Sequence, residues 1–289
     1  MRQLVLTVPV DEAELASDAL WGLGVVAVEE RPLDRRSDDG GVQLVELWTA
    51  IGDGGDGNGA GKGTGNGDHT VHYDGAALDL PWPWRFVEVD ATVADSWRQF
   101  ALPVWATPTL VVRPAWVPFD APPGVAVVSI EPGATFGMGD HPTTVLCLRA
   151  LRRFLAPGDA VLDVGCGSGV LAVAAMVMGA GSAVGIDIAP AAVAVTSANA
   201  SANGVVVDVS TRLLDDVPDR YPLVLANILA PALVALAPHL RRVLAPAGTL
   251  VVSGILDDAH AHVLAALHPL QPIATETLDG WAAVALRAF

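Results

Sequence analysis

The stretch VLDVGCGSGVLAVAA, residues 161–175, decides how this chain is read. It opens as a short apolar run, breaks at Gly165, Gly167 and Gly169, and resumes as an apolar segment with helical character. A strand that turns sharply into a helix needs residues free to take positive φ and to let a ligand approach the backbone. Similar runs recur: AVLDVGC at 160–166, SAVGIDI at 182–188, PLVLANI at 222–228 and TLVVSGI at 249–255. Runs apolar at nearly every position suit strands covered on both faces of a parallel sheet. Helices are expected between them, beginning near Gly167, Pro190, Pro231 and Asp257. Alternation of this kind predicts a doubly wound, Rossmann-like α/β domain. The close is different: in QPIATETLDGWAAVALRAF (271–289) two strand-like runs meet at Asp279-Gly280, a hairpin signal. The sheet is therefore expected to be mostly parallel and to end in an antiparallel hairpin.

The glycine loop also constrains its ligand. A dinucleotide fingerprint would place its third glycine, or an alanine, where this chain has Val170. Asp163, two residues before the first glycine, sets a negative side chain where a pyrophosphate would be repelled and a cation favoured. Asp187 ends the next apolar run, at a spacing from Gly165 that lets an acid accept both ribose hydroxyls. S-adenosylmethionine, with a sulfonium, an amino group and no phosphate, fits this set.

The chain has 289 residues and 52% hydrophobic content, ample for a core and long enough for two domains. We expect a small α+β domain over 1–80, a Trp- and Pro-rich linker over 81–128 whose tryptophans pack a domain junction, and the α/β domain over 129–289. RQLVLTVPV, GVVAVEE and VQLVELWTA read as strands of the first domain, and DEAELASDALWGLG as its helix. The glycine-rich stretch at 52–68 lacks the apolar residues to offset its ordering entropy and reads as a flexible loop. It also lacks the Gly-Lys-Ser/Thr of a phosphate cradle. Formal net charge is −16, which repels a phosphate backbone. No nucleic-acid binding is expected, and a basic partner suits the surface better. No apolar run has the ~20 residues of a membrane helix, and the N-terminus lacks a signal peptide's pattern. A cytoplasmic monomer is expected. The two cysteines, Cys147 and Cys166, have no metal-ligand spacing and form no disulfide framework, so no metal is expected.

Three segments carry a resemblance: EPGATFGMGDHPTT (131–144), the stretch from Val161 through Val193, and ANILAPALVALAPHLRRVLAPAGTLVVSGIL (226–256). Together they resemble class I S-adenosylmethionine-dependent methyltransferases, and more narrowly the ribosomal protein L11 methyltransferase (PrmA) family. The resemblance implies a seven-stranded methyltransferase domain preceded by a substrate-recognising region. It implies cofactor contacts at Thr144, Gly165, Asp187 and Asn227, with Asp163, Gly167 and Gly169 completing the loop. In this family the 131–144 segment lies over the methionine end of the cofactor, which adds Phe136 and His141. Where the family pattern has a threonine between two glycines, this chain has Met138. Asp140 or His141 is expected to cap the helix that Pro142 starts. For His141 a capping or packing role is preferred to proton transfer.

Methyl transfer to an amine needs orientation more than covalent assistance. Asn227 can accept the amine's N–H bonds through its side-chain oxygen, together with nearby backbone carbonyls. Glu131 is a candidate for assisting deprotonation or, equally, a structural ion-pair or capping residue. Adenine and glutamine-amide methyltransferases resemble one another in an Asn-Pro-Pro-aromatic motif, whereas Ile228 and Leu229 follow Asn227 here. Neither cysteine has the surroundings of an activated nucleophile for cytosine chemistry. The resemblance thus implies lysine ε-amino groups, and an N-terminal α-amino group, of ribosomal protein L11 as acceptors. The alternatives are a lysine methyltransferase of another protein, a small-amine methyltransferase, or a binding protein that keeps the fold alone.

Overall fold

Alternating side chains make the first strand, β1 (Arg2–Pro9), whose Leu4, Leu6 and Val8 face a core. A 3-10 turn leads into α1 (Ala13–Trp21), and then come β2 (Glu29–Arg36), β3 (Gln43–Ile51), β4 (Thr70–Tyr73), β5 (Ala76–Asp79) and β6 (Trp84–Glu88). The computed structural model describes residues 2–21, 28–36, 42–51, 70–73, 76–88, 98, 101–133, 135 and 137–288. The glycine-rich stretch 52–68 lies outside them. The chain divides into two compact units, Met1–Phe100 and Ala101–Phe289.

In the first unit, four strands pair antiparallel in the order β2-β3-β1-β6, and α1 packs Ala13, Ala16 and Leu20 against them. Trp82 is buried in that core, its Nε1–H donating to Glu12 Oε2 at 2.6 Å. Trp84 also packs against it and meets Phe86 edge to face. These tryptophans of the 81–128 stretch thus serve the first unit's own core.

The second unit opens with β7 (Val104–Thr107), β8 (Leu110–Pro114) and β9 (Ala126–Ile130), a three-stranded sheet in that order. Strands therefore occupy much of the stretch read from the sequence as a linker. Beyond β9 come α2 (Pro142–Phe154), β10 (Ala160–Val164), α3 (Val170–Val177), β11 (Ser182–Ile186), α4 (Pro190–Ala202), β12 (Asp208–Ser210), β13 (Tyr221–Asn227), α5 (Ala230–Arg242), β14 (Leu244–Leu256), α6 (Ala261–Leu267), β15 (Gln271–Leu278) and β16 (Trp281–Arg287). Seven strands form one sheet in the order β12-β11-β10-β13-β14-β16-β15. The first five pair in parallel, and β16 and β15 close the sheet antiparallel, as the sequence indicated. The last helix starts at Ala261 rather than near Asp257; residues 257–259 form a turn, in which Asp257 N–H donates to Gly280 O of the hairpin at 3.0 Å.

Successive residues of the central strands serve opposite faces. Val161, Leu223, Leu225 and Val251 join the core under α2 and α3, whereas Leu162, Val164, Val224, Ala226 and Val252 join the core under α5 and α6. Both faces are covered, which is why the runs are apolar throughout. Strand order reverses between β10 and its neighbours β11 and β13, and ligands of such sheets bind beyond the carboxyl ends at that point. Among the described residues, no helix is long and apolar enough to cross a membrane, and no group of His, Cys, Asp and Glu is arranged to hold a metal ion.

Candidate functional site

The turn after β10 is closed by hydrogen bonds from its own neighbours. Gly165 N–H and Cys166 N–H both donate to Ile186 O, at 2.8 and 3.1 Å, and Gly169 N–H returns to Cys166 O at 2.8 Å. Gly165, Gly167 and Gly169 have φ of 73°, 54° and 78°, a region that other residues enter at a cost. Space is short as well: a Cβ on Gly165 would lie 2.4 Å from Ile228 Cγ2, and one on Gly169 would lie 2.6 Å from Thr196 Cγ2.

Asp187, just past the end of β11, holds this turn from the side. Its Oδ2 accepts Gly167 N–H and its Oδ1 accepts Ala189 N–H, both at 2.9 Å. Each carboxylate oxygen has a second lone pair, so the residue can still accept ligand hydroxyls. Ile188 follows directly with its side chain largely in solvent, an apolar surface beside a polar clamp. Asp163 is buried behind the loop, where its Oδ2 accepts Ala172 N–H of α3 at 3.2 Å. Burial pushes its carboxyl up to about 7, the Ala172 bond opposes the shift, and the charge of Asp187 adds to it.

On the other side of β10, Asn227 ends β13, and its Nδ2 reaches Thr144 Oγ1 at 3.5 Å, the outer limit for such a bond. Thr144 is buried in the first turn of α2. His141 is that helix's cap, with Pro142 at the first helical position. Its Nδ1 accepts Thr143 N–H at 3.3 Å and lies 2.8 Å from Thr143 Oγ1. An accepting Nδ1 carries no proton, and burial accordingly holds the imidazole below its usual range against the pull of Asp140. The ring meets Trp281 edge to face at 5.2 Å. His141 is thus placed as a cap and packing residue.

Several described residues of the 131–144 segment are tied down. Glu131 is held through its backbone: N–H to Asn199 Oδ1 and C=O from Asn199 Nδ2, both at 2.9 Å. Gly137 C=O accepts Ser168 Oγ–H at 2.5 Å, and a Cβ on Gly137 would press on that same oxygen at 2.9 Å. Met138 is half-buried. Phe136 lies outside the described residues. The other residues singled out from the sequence fall into one connected group. It runs from Thr144 through Asn227 and Ile228 to the glycine loop, then to Asp187, and from Ser168 through Asn199 to Glu131.

Several contributors escape sequence reading. Gly254 has φ 82° at a bulge in β14, and a Cβ there would lie 2.4 Å from Ile228 O. A lone glycine in a strand signals such an approach but does not say what approaches. Asn199, Asn203, Thr196 and Ser168 carry no motif of their own; the available signal was asparagine recurring four residues apart at the end of a helix, where it is a poor helix former. Both cysteines are buried. Burial raises the Cys147 thiol to about 12 and pushes Cys166 upward too, so neither supplies a thiolate.

A ligand for this crevice meets the Asp187 carboxylate beside close-approach glycines, with Asp163 buried behind the loop. Acids so placed disfavour a pyrophosphate and suit a molecule bearing positive charge together with vicinal hydroxyls.

Comparison with known proteins matches residues 87–288 to the family described as Ribosomal protein L11 methyltransferase (PrmA). A ribosomal protein L11 methyltransferase of Geobacter metallireducens is 40% identical over 197 residues, 68% of this chain and 65% of that protein. One from Pelotomaculum thermopropionicum is 43% identical over 177 residues, 60% of this chain and 58% of its own length. The chain therefore spans less than two thirds of the length of these relatives. Among solved structures, the ribosomal protein L11 methylase of Lactobacillus delbrueckii subsp. bulgaricus superposes with TM-score 0.61 at 29% identity, covering 64% of this chain and 97% of that one.

Two outcomes follow from this geometry. Gly254→Ala forces a positive φ and a clash with the Ile228 peptide, and is expected to cost about 2–4 kcal/mol in urea unfolding of the second unit. A change below about 0.5 kcal/mol would mean that the Ile228 peptide yields freely. For Asp163, the folded state keeps the proton from the ordinary 3.8 up to about 7. Its contribution is therefore full below the lower value and is lost as pH rises through that window. Asp163→Asn should gain stability relative to the parent between pH 5 and pH 8 when no ligand is bound. Parallel pH profiles from denaturant midpoints would refute this.

Proposed function

Because the chain belongs to the ribosomal protein L11 methyltransferase (PrmA) family, we propose that it transfers methyl groups from S-adenosylmethionine to lysine ε-amino groups, and an N-terminal α-amino group, of ribosomal protein L11. The observation that carries this reading is Asn227, set at the strand end opposite a doubly acidic glycine loop, across the point where strand order reverses.

The cofactor supplies an electrophilic methyl group on a sulfonium, which leaves as a neutral thioether when the amine's lone pair forms the new C–N bond. This chain's residues bind and orient. Asp187 accepts the ribose hydroxyls with the lone pairs left by Gly167 and Ala189. Asp163 lies behind the loop and, when ionised, favours the cofactor's positive end through its charge without contact. Ile188 gives an apolar face beside the ribose clamp. Gly165, Gly167 and Gly169 admit the cofactor to the backbone, and Phe136 and His141 belong to the segment that covers its methionine end. Thr144 caps that side.

For the acceptor, Asn227 donates from Nδ2 toward Thr144 and so turns Oδ1 to receive the amine's N–H. Of the nearby carbonyls, that of Ile228 is pressed against Gly254, and that of Leu229 accepts Leu233 N–H of α5 at 3.0 Å. Asn227 Oδ1 is left as the acceptor best placed to steer the lone pair. The amine proton leaves to solvent, with Glu131 the carboxylate assigned to assist. The N-terminal unit is assigned to recognition of the protein substrate, and the net charge of −16 favours a basic one.

The test is direct. Purified protein and methyl-labelled S-adenosylmethionine are added to a lysate from cells lacking this gene, and labelled residues are found by mass spectrometry. Label on lysines of ribosomal protein L11 is expected. Label on another protein or a small amine would replace the substrate and keep the chemistry, and no transfer would sink the enzyme reading. Asp187→Ala should weaken S-adenosylhomocysteine binding by about 1.5–3 kcal/mol, roughly ten- to 150-fold in calorimetric Kd. Unchanged affinity would remove Asp187 from the site.

A further inference from the structure

Two asparagines, Asn199 within α4 and Asn203 at its C-cap, do for the end of β9 and the residue after it what a neighbouring strand would do. Asn203 Oδ1 accepts Ser129 N–H at 2.8 Å while its Nδ2 donates to Ser129 O at 2.7 Å. One turn earlier, Asn199 repeats the pattern on Glu131 at 2.9 Å in both directions. The spacing matches by geometry. Four residues of helix rise about 6 Å, and two residues of strand rise about 6.6 Å, so carboxamides at i and i+4 meet peptide groups at i and i+2. A carboxamide carries the same donor and acceptor as a peptide. Ile130 O turns the other way, to Ala115 N–H, so the edge of β9 facing α4 belongs to these side chains.

Asn199 does one thing that Asn203 does not. Its Nδ2 also donates to Ser168 O in the glycine loop at 2.8 Å. Asn199 is 2% exposed, so these bonds are dry. On the same helix face, Thr196 Oγ–H donates to Gly167 O at 3.1 Å. The segment that starts at Glu131 rests on α4 again at Gly133, where a Cβ would lie 3.1 Å from Val195 Cγ2. One buried carboxamide therefore joins the start of the 131–144 segment to the turn beneath it.

We propose that Asn199 is a positioning residue for the cofactor site, locking the covering segment to the glycine loop so that the two walls hold one spacing. This rests on the reading of the crevice as an S-adenosylmethionine site. Asn199 touches no substrate and acts through Glu131 and Ser168. Asn203 serves as its internal control, because it makes the same kind of strand contact without reaching the loop.

The experiment compares Asn199→Ala and Asn203→Ala in the full chain. Amide hydrogen exchange is followed by mass spectrometry without ligand, and S-adenosylhomocysteine is titrated by calorimetry. In Asn199→Ala, amides of 165–170 and of 131–139 are expected to exchange at least about tenfold faster, with Kd raised by about the same factor. In Asn203→Ala, faster exchange is expected at 126–130 only, with Kd within about twofold of the parent. An unchanged glycine loop in Asn199→Ala, or an equal effect of both substitutions on it, overturns the proposal. Should Asn199→Ala not fold, Asn199→Asp is read by the same criteria, since it keeps the shape and one acceptor but has no N–H for either carbonyl. If the parent protein does not bind S-adenosylhomocysteine, the cofactor reading fails, while the exchange pattern still decides the coupling.

Discussion

The carboxyl edge of the large sheet depends on one constraint: the chain at 165–169 turns with Cys166, Ser168 and Gly169 buried, so peptide groups there that are cut off from water need partners. An unpaired buried donor or acceptor costs about 1–3 kcal/mol, enough for a few of them to undo a domain. The partners come from elements far apart in sequence. Ile186 O and the Asp187 carboxylate take N–H groups from the side of β11, and Thr196 and Asn199 satisfy carbonyls from α4. The glycines permit the path of the turn, but these polar side chains fix it. Whatever rests on the turn inherits that fixed shape, including Ile228 above Gly165 and Gly137 above Ser168.

The same economy of partners leaves a charge imbalance. Asp187 receives one backbone N–H on each oxygen, which stabilises its charge without cancelling it. Asp163 lies deeper, receives Ala172 N–H, and is held up at about 7 because burial opposes ionisation. A buried acid beside a second acid is an expensive arrangement in the ligand-free molecule. A cation bound nearby would offset that cost by giving the acids a counter-charge in a poorly solvated place. A dinucleotide site on a similar sheet faces the opposite requirement, with a pyrophosphate at the helix N-terminus. The two uses of a glycine loop thus separate on the sign of charge near it more clearly than on the glycines themselves.

Much of this was legible in the sequence, for reasons that can be named. The strands at 160–164, 182–186 and 221–227 read clearly because both faces are buried and periodicity is irrelevant. The hairpin at Asp279-Gly280 is announced by a turn that needs two positive φ values, and both occur. Pro142 fixes the start of α2, which leaves His141 as its cap. The sheet of β7, β8 and β9 was hidden because prolines and tryptophans around Val104–Thr107 and Leu110–Pro114 mask short strands. The polar face of α4 was hidden for a different reason. Asn199 meets Glu131 across 68 residues of sequence, and no local pattern encodes a partner that distant. Gly254 is the intermediate case, visible as an irregularity in a strand, with its cause in the Ile228 peptide.

That peptide also bears on which acceptor the site can take. Ile228 is gripped twice: its side chain fills the space over Gly165, and its carbonyl lies against Gly254. The side chain is therefore committed to the glycine loop and is not offered to a flat acceptor as a stacking surface. A planar base or amide would find an aliphatic side chain, not a ring, at this position. A flexible amine asks for less, since one well-aimed oxygen can orient its lone pair by accepting an N–H. On the proposed reading Asn227 Oδ1 is that oxygen, and the carboxamide's other end is directed at Thr144. The two glycines thus fix Ile228 on both sides, next to the asparagine that ends β13.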